Sequence, residues 1–385
     1  MKFSMIENLI LFTMNKKIKV VTVVGTRPEL IRLSRIIKTL EDNCNHVLIH
    51  TGQNYDKELN SIFFSDLKIS RPKYQLNIEN KNPINAISSI LEKVDKILKI
   101  ETPDAFVVLG DTNSCLSAYS AKRLKIPIFH IEAGNRCYDQ RVPEEINRKI
   151  IDHISDINIT YSENAKQNLI RENIAPDKIF KIGSPMHEVL NFYKPQILKS
   201  KILKKLGLKK NSYFLLSIHR EENLNDIDNV NKIFNFLNKL SLRGKEKIIF
   251  STHPRTRKKI KELQIKPSPR ILFLDPFNYT DYMNLQINSK IVLSDSGSIT
   301  EECSLFGFRA INLRSTNERQ EGMSSGTVPM IKFDYDKINI LIEFLTKNKN
   351  KSFVQDYLCL DFSKIFFKIL LSYIDYINEY TWKKK

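Results

Sequence analysis

The chain has 385 residues and a formal net charge of +18 at pH 7. This length allows two domains of ordinary size, each with its own hydrophobic core. No apolar run reaches the roughly 18 residues of a membrane-spanning helix, so we expect no integral membrane segment. The positive charge comes without a basic helix or an aromatic-basic motif, so we expect no nucleic-acid binding. We expect a diffuse basic surface, some of which attracts an anionic substrate.

The cysteines are odd in number and scattered, with no CxxC pair: Cys44, Cys115, Cys137, Cys303 and Cys359. Such spacing argues against a disulfide framework and against a zinc site, and it favours a reducing cytoplasm. At the start of the chain, residues 1–15 contain a short apolar patch but no small-residue cleavage site. We expect these residues to form a poorly ordered extension.

From residue 16 onward, apolar β-rich runs alternate with stretches of helical spacing. The first series predicts strands 18–24, 46–50, 105–109 and 126–131 and helices 29–40 and 84–100. The second series predicts strands 213–218, 247–251, 271–274 and 291–293 and a helix over 230–240. Continuous apolar strands are typical of parallel sheets that are covered on both faces.

Two successive series of this kind predict an α/β protein with two doubly wound, Rossmann-like parallel-sheet domains that face each other. We place the N-terminal domain at 16–190 and the C-terminal domain at 200–350, because Pro185, Pro195 and a lysine-rich stretch interrupt the pattern between them. A polar linker precedes the final segment, 353–385, which contains an apolar helix over 362–377.

Three acidic residues stand where a predicted strand ends or a helix begins. Asp111 follows strand 105–109 and can serve as an N-cap, as a ligand contact, or as both. Glu132 ends the next strand, where a carboxylate is costly unless it is paired or used. Glu144 opens a helix after the polar loop 135–142, where an acid also suits the helix dipole. Their convergence predicts a functional site that contains Asp111, Glu132 and Glu144.

Other places in the sequence are predicted to handle phosphate. The turn 25–29 opens a helix, and Arg27 and Arg32 lie at or just after it, although a plain helix start with surface arginines is the alternative. His219 and His253 follow strands of the second series and can act as acid, base or phosphate donor, or simply as surface histidines.

The segment 295–302 follows the last predicted strand with small residues at a helix N-terminus. Such a turn makes a phosphate cradle, here from Ser296, Gly297 and Ser298. Glu302 lies further into that helix and can accept hydrogen bonds from ribose hydroxyls, and Arg319 belongs to a charged loop that follows. There is no GxGxxG and no P-loop motif, so neither NAD nor a P-loop nucleotide site is indicated.

Taken together, these motifs resemble the non-hydrolysing UDP-N-acetylglucosamine 2-epimerases. The matching stretches, in order, are Gly25-Thr26-Arg27-Pro28-Glu29, His50-Thr51-Gly52-Gln53, Gly110-Asp111-Thr112, His130-Ile131-Glu132-Ala133-Gly134, Pro143-Glu144-Glu145-Ile146-Asn147-Arg148, Gly183-Ser184-Pro185, His219-Arg220-Glu221, Asp295-Ser296-Gly297 and Glu318-Arg319.

The resemblance implies a GT-B fold with a cleft between the two domains and a C-terminal helix that returns to the first domain. It also implies a cytoplasmic homodimer, a UDP-N-acetylhexosamine substrate, and no metal or other cofactor. Carried over by motif, Asp111, Glu132 and Glu144 are the acid/base groups and His219 handles the leaving diphosphate. The implied substrate-binding residues are Arg27, Arg32, Arg136, His253, Ser296, Gly297, Ser298, Glu302 and Arg319.

The chain departs from the family's commonest form at Arg32, at Gln320 and in the loop 135–142, which is shorter. The short loop resembles a capsule and O-antigen sub-branch, some of whose members look like enzymes that form UDP-N-acetyl-L-fucosamine from its L-talo epimer. Both that reaction and the UDP-GlcNAc to UDP-ManNAc reaction are therefore expected candidates. The rival interpretations are a GT-B glycosyltransferase, a hydrolysing 2-epimerase and a non-catalytic UDP-sugar sensor.

Overall fold

The computed structural model describes residues 17–52, 64, 66–78, 82–220, 223, 227–263, 268–348 and 352–384, with the side chains of 227, 254 and 255 excepted. The predicted extension 1–15 lies outside these residues. So do Gln53 and Glu221 of the motifs above, and residues 349–351 of the predicted linker.

The described strands run parallel to their neighbours and form two sheets. Their bounds are β1 Lys19–Val24, β2 Asn45–His50, β3 Tyr74–Gln75, β4 Ala105–Leu109, β5 Ile128–Ile131, β6 Ile157–Thr160, β7 Ile179–Lys181, β8 Tyr213–Ser217, β9 Lys247–Ser251, β10 Ile271–Leu274, β11 Ile291–Ser294 and β12 Ala310–Asn312.

The described α-helices are α1 Arg27–Asn43, α2 Pro83–Glu101, α3 Ala118–Arg123, α4 Pro143–Ile154, α5 Glu163–Arg171, α6 Pro185–Lys199, α7 Ile202–Lys205, α8 Ile227–Leu242, α9 Pro254–Glu262, α10 Tyr279–Asn288, α11 Ile299–Phe306, α12 Gln320–Ser324, α13 Tyr335–Lys347 and α14 Phe362–Tyr376. Among the described residues, no helix combines the length and the hydropathy that crossing a bilayer requires.

The chain divides into two compact units. The first takes in the described residues of Met1–Gly134, Gln140–Pro185 and Asp361–Lys385, and the second takes in Asn135–Asp139 and the described residues of Met186–Leu360. The first unit therefore contains the final helix α14, whose Phe366 ring lies edge-on to Phe129 of β5 with centroids 6.3 Å apart.

The first sheet has the strand order β3-β2-β1-β4-β5-β6-β7. β1 and β4 are neighbours although β2 and β3 intervene in the chain, so the strand order reverses between them. Ligands of open α/β sheets bind at this switch point, beyond the carboxyl ends of the strands. Buried valines and isoleucines of β1, β2 and β4 pack against α2, as expected for a sheet covered on its faces.

The second sheet has the order β10-β9-β8-β11-β12, with its own reversal between β8 and β11. Its strands pack against apolar residues of α8 and α13, such as Leu237 and Ile342, in a separate hydrophobic core. The two sheets confirm the predicted α/β class with two doubly wound parallel-sheet domains.

The predicted strands and helices are confirmed and differ from the observed ones only at their ends. One expectation was wrong: the prolines near 186–200 do not interrupt the secondary structure, because α6 continues through Pro195. Proline removes one helical hydrogen bond. The buried side chains of Leu190, Tyr193 and Ile197 pack along the helix and hold it, and such packing outweighs local propensity.

Candidate active site

The turn after β1 is tied to the turn after β4 by one buried carboxylate. Oε2 of Glu29 accepts hydrogen bonds from the N–H groups of Gly25 (3.0 Å) and Thr26 (2.7 Å) and from the Thr26 hydroxyl (2.7 Å). Its Oε1 accepts from the hydroxyl of Thr112 at 3.0 Å. Burial raises the pKa of Glu29 to about 7, although these four hydrogen bonds lower it. The turn that leads into Arg27 is thereby fixed relative to the turn that carries Asp111.

Asp111 lies at the carboxyl end of β4 and pairs with an arginine of α4. Its Oδ2 lies 2.6 Å from Nε of Arg148, whose Nη1 is 2.9 Å from the buried carboxylate of Glu145. The side chain of Asn147 donates to the backbone carbonyl of Asp111 at 2.9 Å. The following 3₁₀ helix begins after Thr112, not after Asp111. The carboxylate of Asp111 therefore pairs with Arg148 and does not cap that helix.

Glu132 follows β5 with a φ of +72°, in the left-handed region that residues with a side chain rarely adopt. Oε2 of Glu132 lies 3.3 Å from Nε of Arg32, and both side chains are largely buried. A backbone strained in this way is a feature of functional sites and persists only where its surroundings hold it. The turn that follows Glu132 passes close to α5, and Gly134 permits this approach, because a Cβ there would lie 2.2 Å from the carbonyl oxygen of Ala165.

The two consecutive acids of α4 have different environments. Glu144 is half-buried in the first helical turn, whereas Glu145 is fully buried and paired with Arg148. Arg27 is half-buried at the first position of α1. The predicted residues Arg32, Asp111, Glu132 and Glu144 thus lie on the elements that follow β1, β4 and β5. The partners Arg148 and Glu145 belong to the same motif but had no assigned role.

In the second unit, Asp295 orients His219. Its carboxylate accepts from the N–H groups of His219 (3.2 and 3.1 Å) and Arg220 (3.0 Å) and from the side chain of Asn223 (2.9 Å). It also lies 3.2 Å from Nδ1 of His219. Burial raises the pKa of Asp295, but the charge and hydrogen bond of His219 and the other donors lower it to about 2. The rings of His219 and His253 are 6.0 Å apart, so the structure brings these two predicted residues together.

The turn after β11 has the form of the predicted cradle. The hydroxyls of Ser296 and Ser298 lie 3.0 Å apart at the N-terminus of α11. Gly297 sits between them, and a Cβ there would lie 2.7 Å from Oε1 of Glu318. Arg314 holds Glu318 at 2.6 Å, so this carboxylate has little freedom to retreat. Only glycine fits the turn without displacing Glu318.

Glu302 and Arg319 are buried with partners that sequence reasoning did not assign. Oε2 of Glu302 accepts a hydrogen bond from the side chain of Gln286 at 2.8 Å. Nη2 of Arg319 is 3.1 Å from the carboxylate of Glu301. Arg136 is also buried, and its Nη1 donates to the carbonyl oxygen of Asn135 at 2.7 Å. No local sequence signal indicated Gln286, whereas Glu301 stood in the motif beside Glu302.

Comparison with known proteins places this arrangement in a defined class. A family model described as UDP-N-acetylglucosamine 2-epimerase matches residues 38–358. A 2-epimerase structure from Rickettsia bellii has 47% sequence identity and a TM-score of 0.88, over 96% of this chain and 100% of that chain. A Methanocaldococcus jannaschii UDP-GlcNAc 2-epimerase structure, in complex with UDP-GlcNAc and UDP, has 33% identity and a TM-score of 0.87, over 92% of this chain and 100% of that one.

The curated relatives include a UDP-2,3-diacetamido-2,3-dideoxy-D-glucuronate 2-epimerase of Pseudomonas aeruginosa. It is 32% identical over 314 residues, which cover 80% of this chain and 86% of the relative. The two parallel sheets and these structural neighbours define a protein of the GT-B class. Within that class, the chain belongs to the UDP-N-acetylglucosamine 2-epimerase family.

Proposed function

We propose that this protein is a non-hydrolysing epimerase that inverts C2 of a UDP-N-acetylhexosamine. The observation that carries the proposal is the group of acids on one edge of the first sheet. Asp111, Glu132 and Glu144 follow β4, β5 and the loop into α4, and Arg148 and Arg32 neutralise the first two. Such a set of carboxylates suits proton transfer at carbon, because each can take or return a proton.

The chemistry proceeds by elimination and re-addition. The C2 hydrogen of an acetamido sugar is not acidified by a neighbouring carbonyl, so direct deprotonation is unfavourable. The C1–O bond breaks first, and its electron pair leaves with UDP. A carboxylate then takes the proton from C2, the C–H pair forms the C1=C2 double bond, and a 2-acetamidoglycal results. Protonation of C2 on its other face and re-addition of UDP at C1 give the epimer, with no net redox change.

The acids on the first sheet are proposed to serve the two faces of C2. Glu132 is held by its left-handed backbone and by Arg32, and Asp111 is held by Arg148, so both have defined positions. Glu144 completes the set on α4. A fixed position matters because proton transfer requires hydrogen-bond reach between the carboxylate and the reacting C–H.

The second unit is proposed to bind UDP. His219, oriented by Asp295, handles the departing diphosphate together with His253 and the cradle 296–298. The N-terminus of α11 adds the N–H groups and the positive potential that favour an anion. Glu302 accepts from ribose hydroxyls. Arg27, Arg136 and Arg319 are proposed to contribute positive charge toward the bound UDP sugar.

The sugar is proposed to be either UDP-GlcNAc, converted to UDP-ManNAc, or the 2,6-dideoxy-L-talo sugar, converted to UDP-N-acetyl-L-fucosamine. The shorter loop 135–142 supports the second, and the names of the archaeal and rickettsial relatives support the first. The product would be a precursor of a capsule or O-antigen polysaccharide. Incubation with both substrates, followed by NMR of the products, separates the two.

An isotope experiment tests the reaction type. In D2O, turnover of an authentic substrate should place deuterium at C2, and substrate labelled in the bridging oxygen should show positional scrambling. Epimerisation without deuterium at C2 would refute the elimination mechanism. Accumulation of free UDP with free sugar would identify a hydrolysing enzyme, and transfer to an acceptor would identify a glycosyltransferase.

The enzyme is further proposed to act as a homodimer in the cytoplasm. All five cysteines are free thiols, which fits a reducing compartment. Light scattering during gel filtration measures the mass directly. A monomer at micromolar concentration would contradict the dimer.

A further inference from the structure

A buried histidine of β5 contacts two of the segments that carry the proposed acids. His130 is 1% exposed and lies two residues before Glu132. Its Nε2 is 2.8 Å from the carbonyl oxygen of Gly110, the residue before Asp111. Its Nδ1 is 2.9 Å from Oδ1 of Asp152, which is also 1% exposed.

Asp152 extends this link to all three acids. It lies on α4, two helical turns after Glu144 and one turn after Arg148. Its carboxylate accepts the N–H of Gly134, the residue that closes the Glu132 turn, at 3.3 and 3.2 Å. The pair His130–Asp152 therefore joins the turn of Asp111, the turn of Glu132 and the helix of Glu144.

The contacts of the two side chains define how the pair is held. A backbone carbonyl can only accept, so Nε2 of His130 donates to Gly110. The carboxylate of Asp152 accepts the N–H of Gly134, and its Oδ1 lies 2.9 Å from Nδ1 of His130. Because both side chains are buried, removing either one takes a close partner from buried polar atoms of the other, which is costly.

We infer that His130 and Asp152 are positioning residues for the epimerisation, which set the geometry of Asp111, Glu132 and Glu144 without touching the sugar. This inference rests on the proposed role of the three acids. It predicts that loss of the pair lowers kcat and leaves UDP binding unchanged, because UDP is proposed to bind the second unit. Misplacement of reacting groups by about 1 Å can cost on the order of 100-fold in rate.

Asp152 allows a deletion and a conservative replacement to be compared. Asp152→Ala removes the contacts to His130 and Gly134, and we expect kcat to fall by about 10- to 100-fold. In Asp152→Asn, the amide oxygen can still accept from Gly134 and the amide N–H can donate to Nδ1. We therefore expect Asp152→Asn to retain most of the activity, whereas a purely electrostatic role would not be rescued.

Asp156 provides the matched control. It is 2% exposed, pairs with Lys122 and accepts the N–H of Ile128 at 3.0 Å, at the opposite end of the same strand β5. Asp156→Ala should cost stability but leave kcat per folded enzyme unchanged. Equal loss of kcat in Asp152→Ala and Asp156→Ala would overturn the inference, and so would a loss confined to KM or to the Kd of UDP.

If Asp152→Ala does not fold, His130→Gln decides. A glutamine at position 130 can still donate to the carbonyl oxygen of Gly110 but loses the contact with Asp152. We therefore expect kcat to fall, but by less than in Asp152→Ala. If folded His130→Gln or Asp152→Ala has the kcat of the wild type, the positioning role is refuted. The epimerase proposal would still stand, provided that the wild type incorporates deuterium at C2 in D2O. Absence of C2 exchange in the wild type would instead remove the proposed function itself.

Discussion

The two sheets place different chemistry at equivalent positions. In the first, the strands on either side of the switch point lead to Arg27 and Asp111, and Glu132 follows on the next strand. In the second, they lead to His219 and Asp295. Asp111 retains some exposure beside one arginine, whereas Asp295 is fully buried and accepts from three residues. We therefore propose that Asp111 is available for catalysis, whereas Asp295, which accepts from three residues, orients His219.

The largest expected effect divides the two units by function. Glu132→Gln keeps the shape of the side chain but cannot exchange a proton with C2, so kcat should fall by about 10²- to 10⁴-fold. Titration calorimetry should find the Kd of UDP unchanged. The counterpart Glu302→Gln in the second unit should weaken UDP binding and retain more of kcat at saturation. If Glu132→Gln weakens UDP binding as much as Glu302→Gln does, the proposal that the first unit carries the catalytic acids and the second binds UDP is wrong.

A smaller effect tests the cradle of the second unit. Gly297→Ala adds a Cβ that would meet Oε1 of Glu318 at 2.7 Å, and Arg314 restrains that carboxylate. Overpacking of this kind costs about 1–3 kcal/mol, and its relief displaces the cradle, so we expect the Kd of UDP to rise by about 5- to 150-fold. Titration calorimetry with UDP measures this change in Kd.

Gly244→Ala is the control for the cradle. A Cβ at Gly244 would also meet a carboxylate, that of Glu246. Gly244 precedes β9 and therefore lies at the amino end of the sheet, away from the turn after β11. UDP affinity should be that of the wild type. Equal weakening in both variants would show that the cost is one of general stability and not of the cradle.

The smallest effect concerns the pH dependence of stability in the first unit. The folded pKa of Glu29 is raised from 4.5 to about 7, so its contribution to stability is complete below pH 4.5 and is lost as the pH rises through 7. Glu29→Gln should remove that loss and change the slope of the unfolding free energy by at most about 1.4 kcal/mol per pH unit. Urea titrations at several pH values measure this slope.

Glu101 is the opposite case and the control. Burial raises its pKa, but Lys73, Tyr74 and Lys19 lower it, to about 2 from the ordinary 4.5. Its contribution to stability is present above pH 4.5 and is lost as the pH falls through 2, so Glu101→Gln should leave the slope between pH 4.5 and 7 unchanged. The same slope in Glu29→Gln and wild type would show that Glu29 does not titrate in this range.

Local pattern was sufficient for much of the fold. The apolar run that became β4 was predicted at its observed bounds, because a strand buried on both faces needs an uninterrupted apolar sequence. The prediction for segment 186–200 was wrong. Its prolines are visible in the local sequence, whereas the tertiary packing of Leu190, Tyr193 and Ile197 that holds the helix is not. Among the site residues, those at strand ends were found because parallel strands bring their carboxyl ends to one edge.

Sequence alone determined the two-sheet α/β class, the family resemblance and the positions of Asp111, Glu132 and Glu144 at element ends. Tertiary structure alone decided their partners. The pairing of Asp111 with Arg148, of Glu132 with Arg32 and of His130 with Asp152 joins residues from different elements. Residue spacing along the chain reveals the periodicity of a single helix or strand. Ion pairs between elements depend on how those elements pack against each other, which spacing does not reveal.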